Sequence, residues 1–239
     1  METIVITDVT RFKLKDNKIC VAGLTLDGKT CIRPMVPTSS HPDYLSHDDC
    51  RKNNILPGMV VRGDFHLPNQ VSAPHHEDRL HNSLENTGPL SAGDFERLLK
   101  KSLSKSVRDG FGITSTEKVV KVDERPARSI ITIQPRAGTV RIVQDGYNES
   151  RIRIHFTDQS GAEYSFLSIT DLGLYDFVGD PEKRKMSIGD VNAILNGLNR
   201  VYLRVGLSRV HTVGERTGYW LQVNGVYSFP QYSEIIRSY

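Results

Sequence analysis

Long hydrophobic runs are missing from this chain. No stretch of about 20 apolar residues occurs, so no transmembrane helix and no membrane partner are expected. A basic, then apolar, then small-residue leader is missing too. Met1 runs straight into the strand-like Thr3-Ile4-Val5-Ile6-Thr7, which makes the cytoplasm the expected location. Cysteine is scarce: Cys20, Cys31 and Cys50 are the only three in 239 residues, without CxxC spacing. That odd count argues against a disulfide framework and a zinc ribbon. Neither GxGxxG nor a P-loop occurs, and neither HExxH nor a nucleophile elbow, so no cofactor is expected. Charge of one sign is not in large excess either: 31 Lys and Arg against 28 Asp and Glu give +3. That balance does not by itself demand a polyanionic partner.

What is there is ordinary globular protein, 38% hydrophobic and 25% charged. The length allows one or two domains with real cores. Charge is uneven along the chain. From His41 to Glu96 there are four Lys/Arg against nine Asp/Glu, and six of the eight histidines. From Arg97 to Arg128 there are nine basic residues against four acids. A basic surface beside an acidic, His-rich loop region is the expected result.

The chain opens as a meander. Ile19 to Leu26 reads as a strand, Asp27-Gly28 as a two-residue turn, and Lys29 to Arg33 as the return, stopped by Pro34. Met59 to Phe65 is a fourth strand. Leu67 to Pro89 is polar and reads as loop. Ser91 caps a predicted helix whose apolar face is Phe95, Leu98, Leu99 and Leu103. Lys100, Lys101, Lys105 and Arg108 lie on or beside its other face. Lys118 to Val122 is a short β-like run and the predicted fifth strand. After Arg125-Pro126 the pattern restarts: strands at 129–133, 139–143, 151–156 and 162–167, a helix from Ile188 to Leu198 capped by Ser187, and strands at 201–210 and 219–229.

A run of strands, a helix and two closing strands follows the element order of an OB-fold, a five-stranded Greek-key barrel with its helix between strands three and four. The expected fold is therefore mainly β, with two OB-like barrels. The first spans 1–125, with a His/Asp-rich and helical insertion at about 67–116; the second spans 126–239. A single larger β-sandwich is the competing architecture.

Several segments are similar to a known family. These are Thr10-Arg11, Ile19 to Gly23, Cys31-Ile32-Arg33-Pro34, Pro74-His75-His76-Glu77-Asp78, Arg204 to Arg209, and Tyr219 to Pro230. Their order and spacing resemble the prokaryotic dual OB-fold domain family. The resemblance implies two OB barrels, recognition of nucleic acid or a nucleotide-like ligand, and a setting in prokaryotic defence. It transfers no catalytic residue.

The most informative spacing is Arg151, Arg153 and His155. Alternate strand residues share a face, so Ile152, Ile154 and Phe156 point inward and the three polar residues outward. Strands two and three are the usual oligonucleotide platform of an OB barrel. Arg141 can join them, with Tyr147 or Tyr164 as aromatic partners; the alternative is a solvated face paired to Glu163 or Glu149. Arg33 can hold an anion at the barrel mouth or pair with Glu77 or Asp78. Arg204 and Arg209, near Trp220 and Tyr227, can form a base-stacking site, or Trp220 can be core. His75, His76, Glu77 and Asp78, with His81 nearby, carry metal-competent groups without an established metal spacing.

The leading expectation is a binding module without catalysis of its own. It would recognise single-stranded nucleic acid or a nucleotide-like ligand, beside a separate effector protein. One alternative is a metal-dependent phosphoesterase or nucleotide hydrolase at His76, Glu77 and Asp78. The other is a protein-interaction subunit docking through Tyr232, Ile235, Ile236 and Tyr239.

Overall fold

The computed structural model describes residues 1–12, 17–38, 42–197 and 200–230. The C-terminal residues 232, 235, 236 and 239, suggested above as a docking tail, lie outside them, as does Leu198.

Strand β1 (Glu2–Arg11) is β-branched and apolar, and a bulge at Thr7 bends it. It pairs antiparallel with β2 (Lys18–Thr25). The turn at Asp27-Gly28 is present, but as part of a four-residue loop closed by the Thr25 N–H on the Thr30 carbonyl rather than a two-residue one; Gly28 sits at φ +75°, and β3 (Cys31–Met35) follows. Next come β4 (Leu45–Ser46), which pairs with β2, and helix α1 (His47–Lys52). Strand β5 (Met59–His66) returns to β1. Strand β6 (Asp78–Pro89) lies antiparallel to β5 and parallel to β3. The ring β1-β2-β3-β6-β5 is thereby closed, with five strands in OB order. Ile4, Ile6, Val9, Ile19, Val21 and Ile32 pack its interior.

The strand assignment corrects one expectation. The fifth strand of this barrel is β6, not 118–122. Strand β6 offers Leu80 and Leu84 among polar residues, so it has too little apolar alternation to announce itself. Backbone pairing on both sides holds it instead.

Helix α2 (Ala92–Lys101) starts where Ser91 Oγ accepts from the Asp94 N–H at 3.1 Å. Phe95, Leu98 and Leu99 are buried as predicted, whereas Leu103 lies beyond the helix end and is partly exposed. Helix α3 (Val107–Phe111) and strand β7 (Val119–Val120) come next. Val107, Phe111, Ile113 and Val120, all N-terminal to the expected 125/126 boundary, pack into the second core.

The second barrel begins with β8 (Ile130–Ile133) and β9 (Arg141–Asp145). These act as two halves of one OB strand: β8 pairs with β12 (Val201–Leu207), and β9 with β10 (Asn148–Thr157). Strand β11 (Glu163–Ile169) pairs with β10 and runs parallel to β14 (Arg216–Ser228). Between β11 and β12 lie α4 (Leu172–Leu174), a π turn at Tyr175–Gly179, and α5 (Ile188–Gly197). The Asp190 N–H donates to Ser187 Oγ at 3.1 Å, the expected cap. Strand β13 (His211–Val213) folds back on β14, and β7 also pairs with β14. Among the described residues no helix is long and apolar enough to cross a membrane.

A third core joins the barrels. Phe95, Leu98 and Leu99 of α2 pack against Val5 and Leu24 on one side and Tyr202, Tyr227 and Phe229 on the other. That is why β1 is buried on both faces. Buried ionic contacts fasten the same joint. Arg204 Nε lies 2.8 Å from Asp8 Oδ2, with both side chains almost fully buried. Arg204 also donates to Thr132 Oγ1 at 2.8 Å, and Tyr227 Oη to the Thr7 carbonyl at 2.8 Å.

Candidate functional site

The chemistry-bearing surface lies on the second barrel. A groove of about 810 Å³ runs between the β9–β10 turn and the β12–β14 excursion that carries β13. Strands β10, β11 and β14 form its floor. In an OB barrel these are the face of strands two and three and the loops that flank it.

Aromatic rings meet cations there. Tyr147, at the turn, is fully exposed. Phe166 is 57% exposed. Trp220 is half-buried and stacks on His211 at 5.4 Å and 28°, while its indole N–H donates to the His211 carbonyl at 3.3 Å. Lys118 Nζ lies 5.9 Å above the Trp220 ring. Arg151 is exposed and has no ion pair among the described residues. Arg153 is anchored: its guanidinium lies 2.7 Å from Asp145 Oδ2 and also donates to Ser168 Oγ. The Asp145 carboxyl is held below the usual range, chiefly by the Tyr147 N–H and further by Arg153. The same carboxylate thus fixes both the turn that carries Tyr147 and the arginine beside it.

Phe166 reaches the surface through a bulge. In the β10–β11 ladder Ile154 faces Leu167 and Phe156 faces Tyr164, so Ser165 and Phe166 together oppose His155. Phe166 sits at φ +55°, a left-handed backbone rare for a bulky residue. Strict alternation puts Phe166 inside with Tyr164; the extra residue turns it out. His155 braces it edge-on at 4.4 Å. Partial burial, with the nearby Arg141 charge, lowers the pKa of His155 and so favours its neutral ring.

The expected outward row is thus present: Arg151, Arg153 and His155 alternate with buried Ile152, Ile154 and Phe156. Arg151 and Arg153 line the groove. Arg141 is exposed and opposite His155 in register, outside the groove walls. Tyr164 is buried at 2% exposure and is no partner for a ligand. Sequence reasoning missed Phe166 and His211 and left Trp220 undecided.

The remaining arginines are elsewhere. Arg33 and Arg204 are buried between the barrels. Arg33 takes the second of its two expected roles, the pairing with Asp78, while Arg204 pairs with Asp8 in place of its expected ligand role. Arg33 Nε lies 2.6 Å from Asp78 Oδ1, and Arg33 Nη2 donates to Ser129 Oγ at 3.0 Å. Arg209 is partly exposed, but its guanidinium lies 2.6 Å from Asp78 Oδ2. The physical reason is shared: a buried carboxylate needs a partner, and these arginines supply it.

The His/Glu/Asp cluster is committed in the same way. Glu77 accepts from the N–H groups of Ser129 and Ile130 and from Ser129 Oγ. Asp78 is shared by Arg33 and Arg209. His75 Nδ1 accepts from Arg33 at 3.1 Å, and arginine has only donors. His76 is exposed. Among the described residues no three His, Cys, Asp or Glu are placed to hold a metal ion.

The groove, then, can stack planar groups on aromatic rings and pair anions with Arg151 and Lys118. Two solved structures are similar to this chain at low identity. A murine DNA-binding protein bound to double-stranded DNA is 9% identical, with 93% of this chain and 97% of that chain covered and a TM-score of 0.28. A tetrameric HIN2 crystal structure is 10% identical, with 95% and 89% covered and a TM-score of 0.30. No curated protein matches the chain. The dual OB-containing domain family matches residues 4–226, nearly the whole sequence. With two barrels of OB connectivity and that match, the chain belongs to the dual OB-containing domain family.

Proposed function

We propose that the second barrel binds single-stranded nucleic acid or a nucleotide-like ligand in the groove between Tyr147 and Trp220. The observation that carries this is the convergence of Tyr147, Phe166 and Trp220 with Arg151 and Lys118 on the OB ligand face. Bases stack on the rings, and each such contact is worth about 1–3 kcal/mol. Phosphates pair with Arg151 and Lys118, which makes binding salt-dependent. A single strand fits because its bases are free to stack, whereas duplex bases are already stacked on each other. On this reading the protein acts by binding. The family resemblance supports a recognition role in prokaryotic defence, with a separate effector protein executing the response.

Fluorescence anisotropy of a labelled oligothymidylate with the full chain tests this. Arg151→Ala is expected to weaken binding and to reduce the log–log salt slope by about 0.7, the value for one phosphate on a single strand. Trp220→Ala is expected to weaken it by roughly 5- to 150-fold with little change in slope. Unchanged affinity in both variants overturns the proposal.

A further inference from the structure

A second recess opens at the joint between the barrels. It measures about 440 Å³ and shares Arg151, Arg153, Ser168 and Thr170 with the groove as wall residues. Both recesses fall in the size range of about 300–1,000 Å³ common for ligand sites. The far wall of the second belongs to the first barrel: Arg11, the last residue of β1, and Phe12.

Arg11 is unusual among the arginines at the joint. Arg33, Arg204 and Arg209 each pair with a carboxylate. Arg11 has no carboxylate partner among the described residues. Its guanidinium carbon instead lies over the buried ring of Tyr175, 3.2 Å from the centroid, a distance at which only a stacked arrangement avoids a clash. Its backbone N–H donates to the Thr170 carbonyl at 2.9 Å, which fixes the main chain at the recess. Stacking occupies one face of the guanidinium and leaves its in-plane N–H groups to serve an anion. Phe12, the next residue, is half-buried against Tyr44 at 4.6 Å and presents a second aromatic surface.

We infer that this recess is a second subsite, in which Arg11 takes a backbone phosphate and Phe12 a base from the same strand that lies in the groove. The inference rests on the groove reading proposed above and extends it: the strand passes Arg151 and crosses from the second barrel to the first. Arg151 stands between the two subsites and serves both.

The experiment compares two labelled oligothymidylates, one of 4 and one of 12 nucleotides, on the full chain by anisotropy across a salt series. Wild type is expected to bind the longer one more tightly than its greater number of registers explains. Arg11→Gln is expected to lower the 12-mer affinity at least roughly 5-fold and its salt slope by about 0.7, with the 4-mer unaffected. Phe12→Ala is expected to lower the 12-mer affinity by a similar factor without changing the slope, and it serves if Arg11→Gln does not fold by its melting temperature. Unchanged 12-mer binding in both variants overturns the second subsite, and so does equal weakening of both oligonucleotides. Failure of wild type to bind either one overturns the groove reading itself, a result distinct from the other two.

Discussion

Phe166 occupies a backbone conformation that glycine adopts without steric cost, yet it carries a ring that faces solvent. Relief of the left-handed strain offsets the extra chain entropy of glycine, each being about 1 kcal/mol. Phe166→Gly is therefore expected to leave stability within about 1 kcal/mol of wild type by urea denaturation, while ligand affinity falls. A core phenylalanine behaves differently, at about 3–5 kcal/mol for truncation to alanine. Arg204 and Asp8 are the opposite case, a pair whose side chains are almost fully buried. Arg204→Met strands the Asp8 charge and is expected to cost about 3–5 kcal/mol, while a second change, Asp8→Asn, recovers part of that loss. Two buried titratable groups set a further expectation. Burial, with Arg33 and Arg209 beside it, lowers His75 to about 2. Only the unfolded chain then takes up that proton below about pH 6.5, so His75 makes stability fall as pH falls. Burial pushes Asp171 up to about 7, against the backbone N–H groups of Leu174 and Val226. The folded chain holds that proton between about pH 4 and 7, so Asp171 makes stability fall as pH rises through that window. The two slopes oppose each other from about pH 4 to 6.5. His75→Asn is expected to remove one of them, gaining on wild type by about 1.4 kcal/mol per pH unit of acidification in that range. Urea titrations of both proteins at about pH 5, 6 and 7.5 check this.

At the scale of elements, strands with strong alternation were legible in the sequence and those without it were not. Arg151 to Phe156 and the two Ser-capped helices form where side-chain period and cap chemistry place them. Strand β6 escaped because its register is set by neighbours that are remote in sequence, a property of pairing rather than of its own residues. The groove was half legible for a related reason. Arg151 and Arg153 obey period two, but the bulge that exposes Phe166 breaks it, and a single inserted position flips every later side chain of the strand to the opposite face. The arginines of the joint illustrate a different blindness. Arg204 is chemically equal to Arg151, and only the Asp8 carboxylate, brought near it by folding, decides that it is structural. Helix α2 shows the converse: its apolar face was plain, but that this face has a barrel on each side was not.

For the whole molecule, the third core has a thermodynamic consequence. Phe95 touches residues of both barrels, so truncation to alanine is expected to cost about 3–5 kcal/mol and to lower the stability of both together. Calorimetry is expected to show one transition, with van't Hoff and calorimetric enthalpies in agreement. Two separate transitions in the wild type would mean that the barrels unfold independently across that core. The fastening has another effect, on what the protein can accept. Because the Arg204–Asp8 and Tyr227–Thr7 contacts and the third core fasten the barrels to each other, the receptor is expected to have little freedom to reshape itself around a guest. On the groove reading proposed above, the adaptation would fall to the polymer, and selectivity would become a matter of mechanics as well as chemistry: limp chains would conform to the mould, and stiff ones would be turned away.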